Sequence, residues 1–564
     1  MNAAAKVAEF DFVVIGSGAA GLTGAVVAAL NGLSVLVVEK TALLGGTTAV
    51  SGGTVWIPNN DHESEVGVED SLDDALSYLR ACVGEAGDPA HVTALAGRGA
   101  EAIRFLEKRA GLRFVPMPSA GGSMDYRPWL AGAKVGGRGL TSPETDLGVL
   151  GEWAKRIRLV DTSEWTFDPR DYITERMHLD PPGLERPGAS MFSPPPDDLD
   201  ARPRPASVGR GAALVAQLVR AGLAAGVEYL LGVRAEELTT CDGRATGVRL
   251  RRSGGEELNV RASAGILLAT GGYSNDERLR RSWLAREIQF SCELESNSGD
   301  GHRMGMAVGA QTAGLGDAWW MPHIPLGSGN AVVNTAGSRE DRSLPHTLMV
   351  NDAGVRFMNE SVNYHDAGEY FASKVGGWHS NFPAWLIFDS QGVEKYAMLS
   401  WKVPPAGEEL PDWLRLADTI SELAGATGLD PAALSATVTR FNGFALAGVD
   451  EDFQRGESRW DRAWGDPRNS PNPCLAPLEK GPFYAVRMYA GALSTRGGLR
   501  VDADARVCSA ANEHAIQGLY AAGNCSNGGP AASYPGPGAT LGAAVTFGYL
   551  AAMHASGAAL PPVA

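Results

Sequence analysis

The chain has 564 residues, 44% of them hydrophobic and 20% charged, globular values that exclude wholesale disorder. Its 49 Lys+Arg against 65 Asp+Glu leave a formal charge of −16, and the longest basic run, Arg249 to Arg252, has a leucine inside it, so a phosphate-neutralising nucleic-acid surface is excluded. Six cysteines without a Cys-x-x-Cys pair argue against a disulfide framework and a thiolate zinc site, while 71 glycines without a Gly-X-Y period point to backbone brought close to something.

In chain order, Phe12-Val13-Val14-Ile15 reads as a parallel strand buried on both faces, followed by Gly16-Ser17-Gly18-Ala19-Ala20-Gly21, a helix over Leu22 to Leu30 and a second strand, Val35 to Val38, ending at Glu39. The stretch from Phe12 to Val38 is long and uncharged enough to span a bilayer. Its five glycines, Asn31 and the lack of a basic n-region make it a strand, helix and strand instead, and the protein soluble or at most peripheral to a membrane. G-x-G-x-x-G in that setting is the pattern for a pyrophosphate at a helix N-terminus, and Glu39, 18 residues past the last glycine, suits a ribose. A second glycine-rich tract, Leu44-Gly45-Gly46-Thr47-Thr48 with Ser51-Gly52-Gly53, suits backbone wrapped around an extended dinucleotide.

Residues 55–110 read as helical and partly acidic. From about 140 to 205 periodicity is poor and prolines are dense, the pattern of an insertion or lid. A helix over Ala212 to Ala225 and strands around Val227 to Leu231, Gly247 to Arg251 and Ala264 to Ala269 follow, the last ending in Ala269-Thr270-Gly271-Gly272. A Trp- and Pro-rich unit occupies 290–480, after which Gly518 to Asn524 repeats the apolar-strand-then-glycine theme. The predicted organisation is a nucleotide domain (1–289 and 481–564) interrupted by a substrate domain (290–480). Because glycine tracts at both ends would touch one cofactor, FAD is the economical choice over NAD, for which no second strand-GxGxxG-helix unit exists.

Val14 to Gly21, Ala269 to Gly272, Arg356-Phe357-Met358-Asn359-Glu360-Ser361, Gly448 to Phe453, Pro473 to Pro477 and above all Tyr534-Pro535-Gly536-Pro537-Gly538-Ala539-Thr540-Leu541-Gly542 resemble the 3-ketosteroid Δ1-dehydrogenases of the fumarate reductase/succinate dehydrogenase flavoprotein superfamily. The resemblance covers nearly the whole chain apart from about 140–205. It implies an α/β fold: a Rossmann-like, GR2-type FAD-binding domain interrupted by an inserted α+β catalytic domain. It also implies non-covalent FAD, held by Gly16, Ser17, Gly18, Ala19, Ala20, Gly21, Glu39, Lys40, Gly45, Gly46, Thr47, Thr48, Ser51, Gly52, Gly53, Val233, Ala269, Thr270, Gly271, Gly272, Gly523, Asn524, Gly538, Ala539, Thr540 and Leu541. The implied reaction converts a ring ketone to its α,β-unsaturated enone: Tyr534 O–H and Gly538 N–H bind the ketone oxygen, Tyr364 takes a proton, Tyr126 supports Tyr364, and a hydride passes to flavin N5. An apolar ketone, a 3-ketosteroid, is the implied substrate and a quinone the implied electron acceptor; the scattered cysteines, read as reduced thiols, point to the cytoplasm.

The chemistry fits the residue types. A C–H beside a ketone is too weak an acid without donors for the developing enolate, and Tyr-Pro-Gly-Pro-Gly offers a phenol and a bared amide within five residues. A tyrosine base needs a neighbour that stabilises phenolate, a service a second Tyr can render. The departures, Cys525 to Ser533 and Arg496, bear on the substrate more than on the reaction. The enzyme alternatives are a fumarate reductase-type flavoprotein using His302, His323, Arg303, Arg356 or Arg496, and the same mechanism on a non-steroid polycyclic ketone; a non-catalytic binding protein on the same frame is the third. No H-E-x-x-H, P-loop or G-x-S-x-G elbow is present.

Overall fold

The computed structural model describes residues 7–117, 124–159, 205–324, 341–372 and 409–561 except 531–532, with parts of 374–403 between them. Most of the Pro-rich insertion, 160–204, lies outside the described residues. Its beginning is anchored: Leu147 and Leu150 enter the main core, and Ile157 bridges to Leu44.

The opening unit is β1 (Val7–Ile15), α1 (Ala19–Leu30) and β2 (Val35–Glu39), with β1 parallel to β2. Both faces of β1 are covered, so alternate side chains feed separate cores: Phe12 and Val14 pack with α1, Val13 and Ile15 on the opposite side of the sheet. The apolar run is therefore continuous rather than alternating. The predicted helical stretch holds α2 (Leu72–Val83) and α3 (Pro89–Ala110), started by the side-chain caps Ser71 and Asp88. Then come α4 (Arg210–Ala224), β3 (Glu228–Leu231), β4 (Val233–Cys241), β5 (Arg244–Arg252) and β6 (Glu257–Leu268).

The inserted unit carries β7 (Thr312–Trp320), β8 (Thr347–Asn351), α5 (Tyr364–Ala372), β9 (Ala384–Asp389), β10 (Leu414–Ala417) and α6 (Pro431–Ala447). Two strands beyond residue 480 belong with it: β11 (Phe483–Met488) lies between β9 and β10, giving the order β8-β9-β11-β10, and β12 (Gly491–Leu499) pairs antiparallel with β7. A boundary at 480 thus falls ahead of both strands; one after Leu499 suits their pairing better. The chain then returns through β13 (Arg506–Cys508), β14 (Ala515–Ala521) and α7 (Ala539–Ala555), completing an eight-stranded sheet in the order β13-β14-β6-β1-β2-β3, with β5 beside β6 and β4 beside β5.

Two motifs behind the family resemblance turn out to hold the inserted unit together. Arg356 makes a bidentate pair with Glu360 (2.9 and 2.7 Å) and another with Asp450 (2.9 and 2.8 Å), all three buried. Burial alone would raise the Glu360 carboxyl, but the charges of Arg356 and Arg455 outweigh it and hold the group below its ordinary range; Asp450 is lowered by the same contest. Arg356→Met is expected to cost about 3–5 kcal/mol in denaturant unfolding, because two buried carboxylates lose their partner. Both carboxyls have depressed folded-state values, so their contribution is present at neutral pH and is lost as pH falls through those values. Stability of Arg356→Met that matches the unsubstituted protein would refute this account.

Candidate active site

The nucleotide end lies at the carboxyl edges of the parallel strands, where ligands bind in such sheets. Gly16 leaves β1 at φ +105°, and a Cβ there would sit 2.3 Å from the Ala269 carbonyl oxygen. The turn therefore closes only on glycine, and it closes against the end of β6. α1 opens at Gly18 without a side-chain cap, so its first-turn amides look outward for an acceptor, as a pyrophosphate provides; Ala19 N–H alone is met by Thr48 Oγ1 at 3.0 Å. Ser17 joins the two glycine tracts: its Oγ donates to Glu39 Oε2 (2.7 Å) and accepts from Gly45 N–H (3.0 Å). Glu39 Oε2 also accepts from Ser17 N–H (3.3 Å), and among the described residues Oε1 accepts from Thr41 N–H alone (2.9 Å), which leaves Oε1 a lone pair for a ribose hydroxyl.

The remaining predicted contacts gather on the same rim. Thr47 Oγ1 accepts from Asn297, Ser51 Oγ donates to the Thr48 carbonyl and accepts from Gly53 N–H, and Gly52 faces open space. Gly46 has its Cβ position 3.8 Å from Gly18, and Val233 is buried at the start of β4. Ala269 to Gly272 continue β6: Thr270 Oγ1 accepts from Gly301 N–H, Gly271 packs against Asn297, and Gly272 N–H donates to buried Glu293 (3.0 Å). Gly523 and Asn524 continue β14, and Ala539, Thr540 and Leu541 form the first turn of α7. Lys40 differs: its ammonium is engaged by Asp300 (2.7 Å) and Ser298 (3.1 Å), leaving its backbone for a cofactor. Bared backbone, an uncapped helix start and an acid at the second strand's tip fit FAD.

The three predicted tyrosines meet. Ring centroids of Tyr126 and Tyr364 are 5.4 Å apart, those of Tyr126 and Tyr534 5.5 Å, and those of Tyr364 and Tyr534 5.5 Å. All three are buried in an aromatic seam with Trp56 and Tyr78 from the nucleotide unit and Trp319, Trp460 and Trp464 from the inserted one. Trp319 crosses the Tyr534 ring edge-on at 5.3 Å, whereas Trp320 points away into a separate core. The corner that carries Tyr534 is clamped through Pro535, whose carbonyl accepts from Tyr126 N–H (2.9 Å) and from Tyr78 O–H (2.5 Å). Next to Tyr126, Asp125 accepts from Trp56 Nε1 (2.8 Å) and Arg138 (2.8 Å), fixing the loop. Gly538, at φ +91° and with its Cβ position 2.2 Å from the Thr54 carbonyl, ends the corner and caps α7. Its N–H donates to no acceptor among the described residues.

Burial, followed by the neighbouring phenols of Tyr126 and Tyr534, holds the Tyr364 hydroxyl well above its ordinary range. The expectation that a second Tyr eases deprotonation is not met in the protein alone: burial and both neighbouring phenols push the hydroxyl the same way.

Of the residues suited to a dicarboxylate clamp, His302 and His323 are pushed down by burial to about 4 and are neutral, Arg303 pairs with Asp276 and Asp300, and Arg356 is the cross-link described above. Only Arg496 reaches the seam, its guanidinium carbon 5.5 Å from the Trp319 ring centre. Sequence reasoning missed Tyr78, Asp125, Arg138 and the chain Trp319 Nε1–H to Asn524 (3.1 Å) and Asn524 to Ser494 (2.7 Å); nothing local marks them. Among the described residues no helix is long and apolar enough to cross a membrane, and no His/Cys/Asp/Glu group could hold a metal.

The profile of a family described as FAD binding domain matches residues 11–541. The chain is 40% identical to 4-oxocyclohexanecarboxylate 2-dehydrogenase of Sinomonas cyclohexanicum, covering 98% of this chain and 93% of that one. It is 38% identical to 3-oxosteroid 1-dehydrogenase of Mycolicibacterium smegmatis, covering 97% of each. In three dimensions it is similar to the 3-ketosteroid Δ1-dehydrogenase of Sterolibacterium denitrificans solved with 1,4-androstadiene-3,17-dione, with a TM-score of 0.86, 32% identity and coverage of 97% of this chain and 99% of that one.

Proposed function

This chain belongs to the FAD binding domain family, and from that premise we propose that it oxidises a ring ketone to its conjugated enone, using Tyr364, Tyr126, Tyr534 and Gly538 as its reaction centre. What carries the reading is the mutual contact of three phenols around one stiff, amide-bearing corner. Bound FAD supplies the acceptor for the hydride leaving the second carbon.

The residues of the chain do the rest. Tyr534 O–H and Gly538 N–H converge on the ketone oxygen, and as that oxygen gains charge on deprotonation their bonds strengthen. Tyr364 accepts the proton from the adjacent carbon; Tyr126, in ring contact with both, holds the base in place. The aromatic seam excludes water, so the developing enolate meets fixed donors instead of solvent. Proton acceptor and oxyanion donors stand on different units, so the centre is complete only where the units meet.

The substrate class follows the relatives, whose names include a 3-oxosteroid and a monocyclic 4-oxo carboxylate. A quinone, reached from the cytoplasmic side with at most peripheral membrane contact, is the proposed electron acceptor. Anaerobic mixing of the yellow protein with 3-ketosteroids, cyclohexanones and fumarate tests the reading: ketones should bleach the flavin, and reduced protein should not turn over fumarate. Bleaching by no ketone, or rapid oxidation by fumarate, would overturn it. Tyr534→Phe removes one of the two oxyanion donors and is expected to slow bleaching about 100-fold while weakening ketone binding, measured from the concentration dependence of the bleaching rate. Unchanged kinetics would remove Tyr534 from the centre.

A further inference from the structure

Arg496 is the strongest unexplained group beside the reaction centre. It stands on β12 opposite Asp317 of β7, so their side chains share a face of the pair with Ser494 and Trp319. Nη2 is engaged by Asp317, but Nε and Nη1 are shielded from water and have no hydrogen-bond partner. A second guanidinium, that of Arg286, lies over the Trp320 ring, and its Nη1 is likewise buried and unpartnered. The two charges act on each other: burial, opposed by Asp317 and reinforced by Arg286, holds Arg496 below its ordinary value.

His365 completes the set. Its Nδ1 accepts from Trp320 N–H at 3.2 Å, and burial together with the nearby arginines keeps the ring neutral, so the remaining proton sits on Nε2, another buried atom without a hydrogen bond. Among the described residues the one carboxylate within ion-pair distance of it, on Glu369, is 3.7 Å away. The His365 ring is 5.7 Å from the Tyr534 ring, and Trp319 links Tyr534 to Arg496 in two steps of 5.3 and 5.5 Å. Unmet donors of one polarity, drawn from three separate segments, stand one aromatic ring away from the phenol that grips the ketone.

Buried donors persist without partners where a ligand supplies the acceptors. We propose that Arg496, supported by Arg286 and His365, binds a carboxylate on the substrate, so that the preferred substrate is a ring ketone bearing an acid group across the ring from its carbonyl. The proposal rests on the ring-ketone reading above and narrows it. Nε and Nη1 lie on different edges of the guanidinium, so Arg496 offers a carboxylate one charge-assisted hydrogen bond from Nη1 rather than a fork, with Arg286 Nη1 and His365 Nε2 as the further unmet donors, and the aromatic wall beside it keeps competing water out. A neutral steroid would leave these donors unmet and forfeit that discrimination.

The test compares 4-oxocyclohexanecarboxylate with its neutral methyl ester in anaerobic bleaching of the holoprotein. The acid should half-saturate at a concentration about 10- to 100-fold below the ester, with similar limiting rates, because the contact is made equally before and during reaction. Arg496→Gln should erase that preference by weakening the acid alone, and Arg496→Lys should restore part of it. If Arg496→Gln does not fold, the comparison of acid with ester in the unsubstituted protein still decides. Equal saturation by acid and ester, or equal weakening of both in Arg496→Gln, overturns the carboxylate site while the ketone reading stands. Bleaching by neither acid, ester nor steroid overturns the ketone reading and this proposal with it.

Discussion

Replacing Tyr364 by Phe is expected to stop turnover while ketone binding survives. The phenol is the proton acceptor of the proposed centre, and loss of a positioned acid-base group typically costs about 10²- to 10⁴-fold in rate. The ketone grip, Tyr534 and Gly538, is untouched, and Phe keeps the ring that packs on Tyr126 and Tyr534. Stopped-flow bleaching should therefore show the same half-saturating concentration and a collapsed limiting rate. Retention of more than a tenth of the rate would mean that the base is another group. A companion expectation concerns pH. Tyr364 is held well above 10.0 by burial and its neighbouring phenols, so it is protonated at neutral pH and only the rare phenolate can accept a proton. The bleaching rate should thus climb with pH and show no plateau below about 10, whereas a levelling near neutrality would implicate a different base.

Gly16→Ala is expected to yield protein without FAD. The added methyl would lie 2.3 Å from the Ala269 carbonyl oxygen, at a φ of +105° that side chains rarely adopt. Strain of about 1–3 kcal/mol, apart from the clash, already corresponds to roughly a 5- to 150-fold loss of affinity if it falls on the bound state. The clash moves the β1 turn away from the end of β6 and with it the amides that face the pyrophosphate. Gel filtration followed by the flavin-to-protein absorbance ratio reads the outcome. A fully yellow Gly16→Ala protein would show that this turn is not the cofactor's cradle.

The legible parts of the fold and site were those whose chemistry is local. Gly16 to Gly21 with Glu39 names a nucleotide turn because each glycine answers a steric demand of its immediate neighbours. Tyr534 to Gly538 is legible because stiffness, phenol and amide lie within five residues. Arg356 and Glu360 were noticed as a motif, but their partner Asp450 is 94 positions away, so their structural task emerged only from the folded chain. Tyr78 gave no signal at all, since an ordinary helical tyrosine becomes a clamp only through the Pro535 carbonyl 457 positions later. The boundary expected at 480 separates β11 and β12 from the strands they pair with, because sheet membership depends on pairing partners that alternation does not encode.

The position of β11 between β9 and β10, and of β14 between β13 and β6, has a consequence for biosynthesis. The inserted unit's sheet has no strand between β9 and β10 until residues 483–488 have left the ribosome, so it waits with exposed ladder edges, whereas β1 to β6 of the larger sheet pair with one another before β14 is made. Chaperone dependence should accordingly be strong. Ribosome-bound chains halted at 482 should be cut readily by protease in the inserted unit, and protection of that unit at this length would contradict this order of assembly.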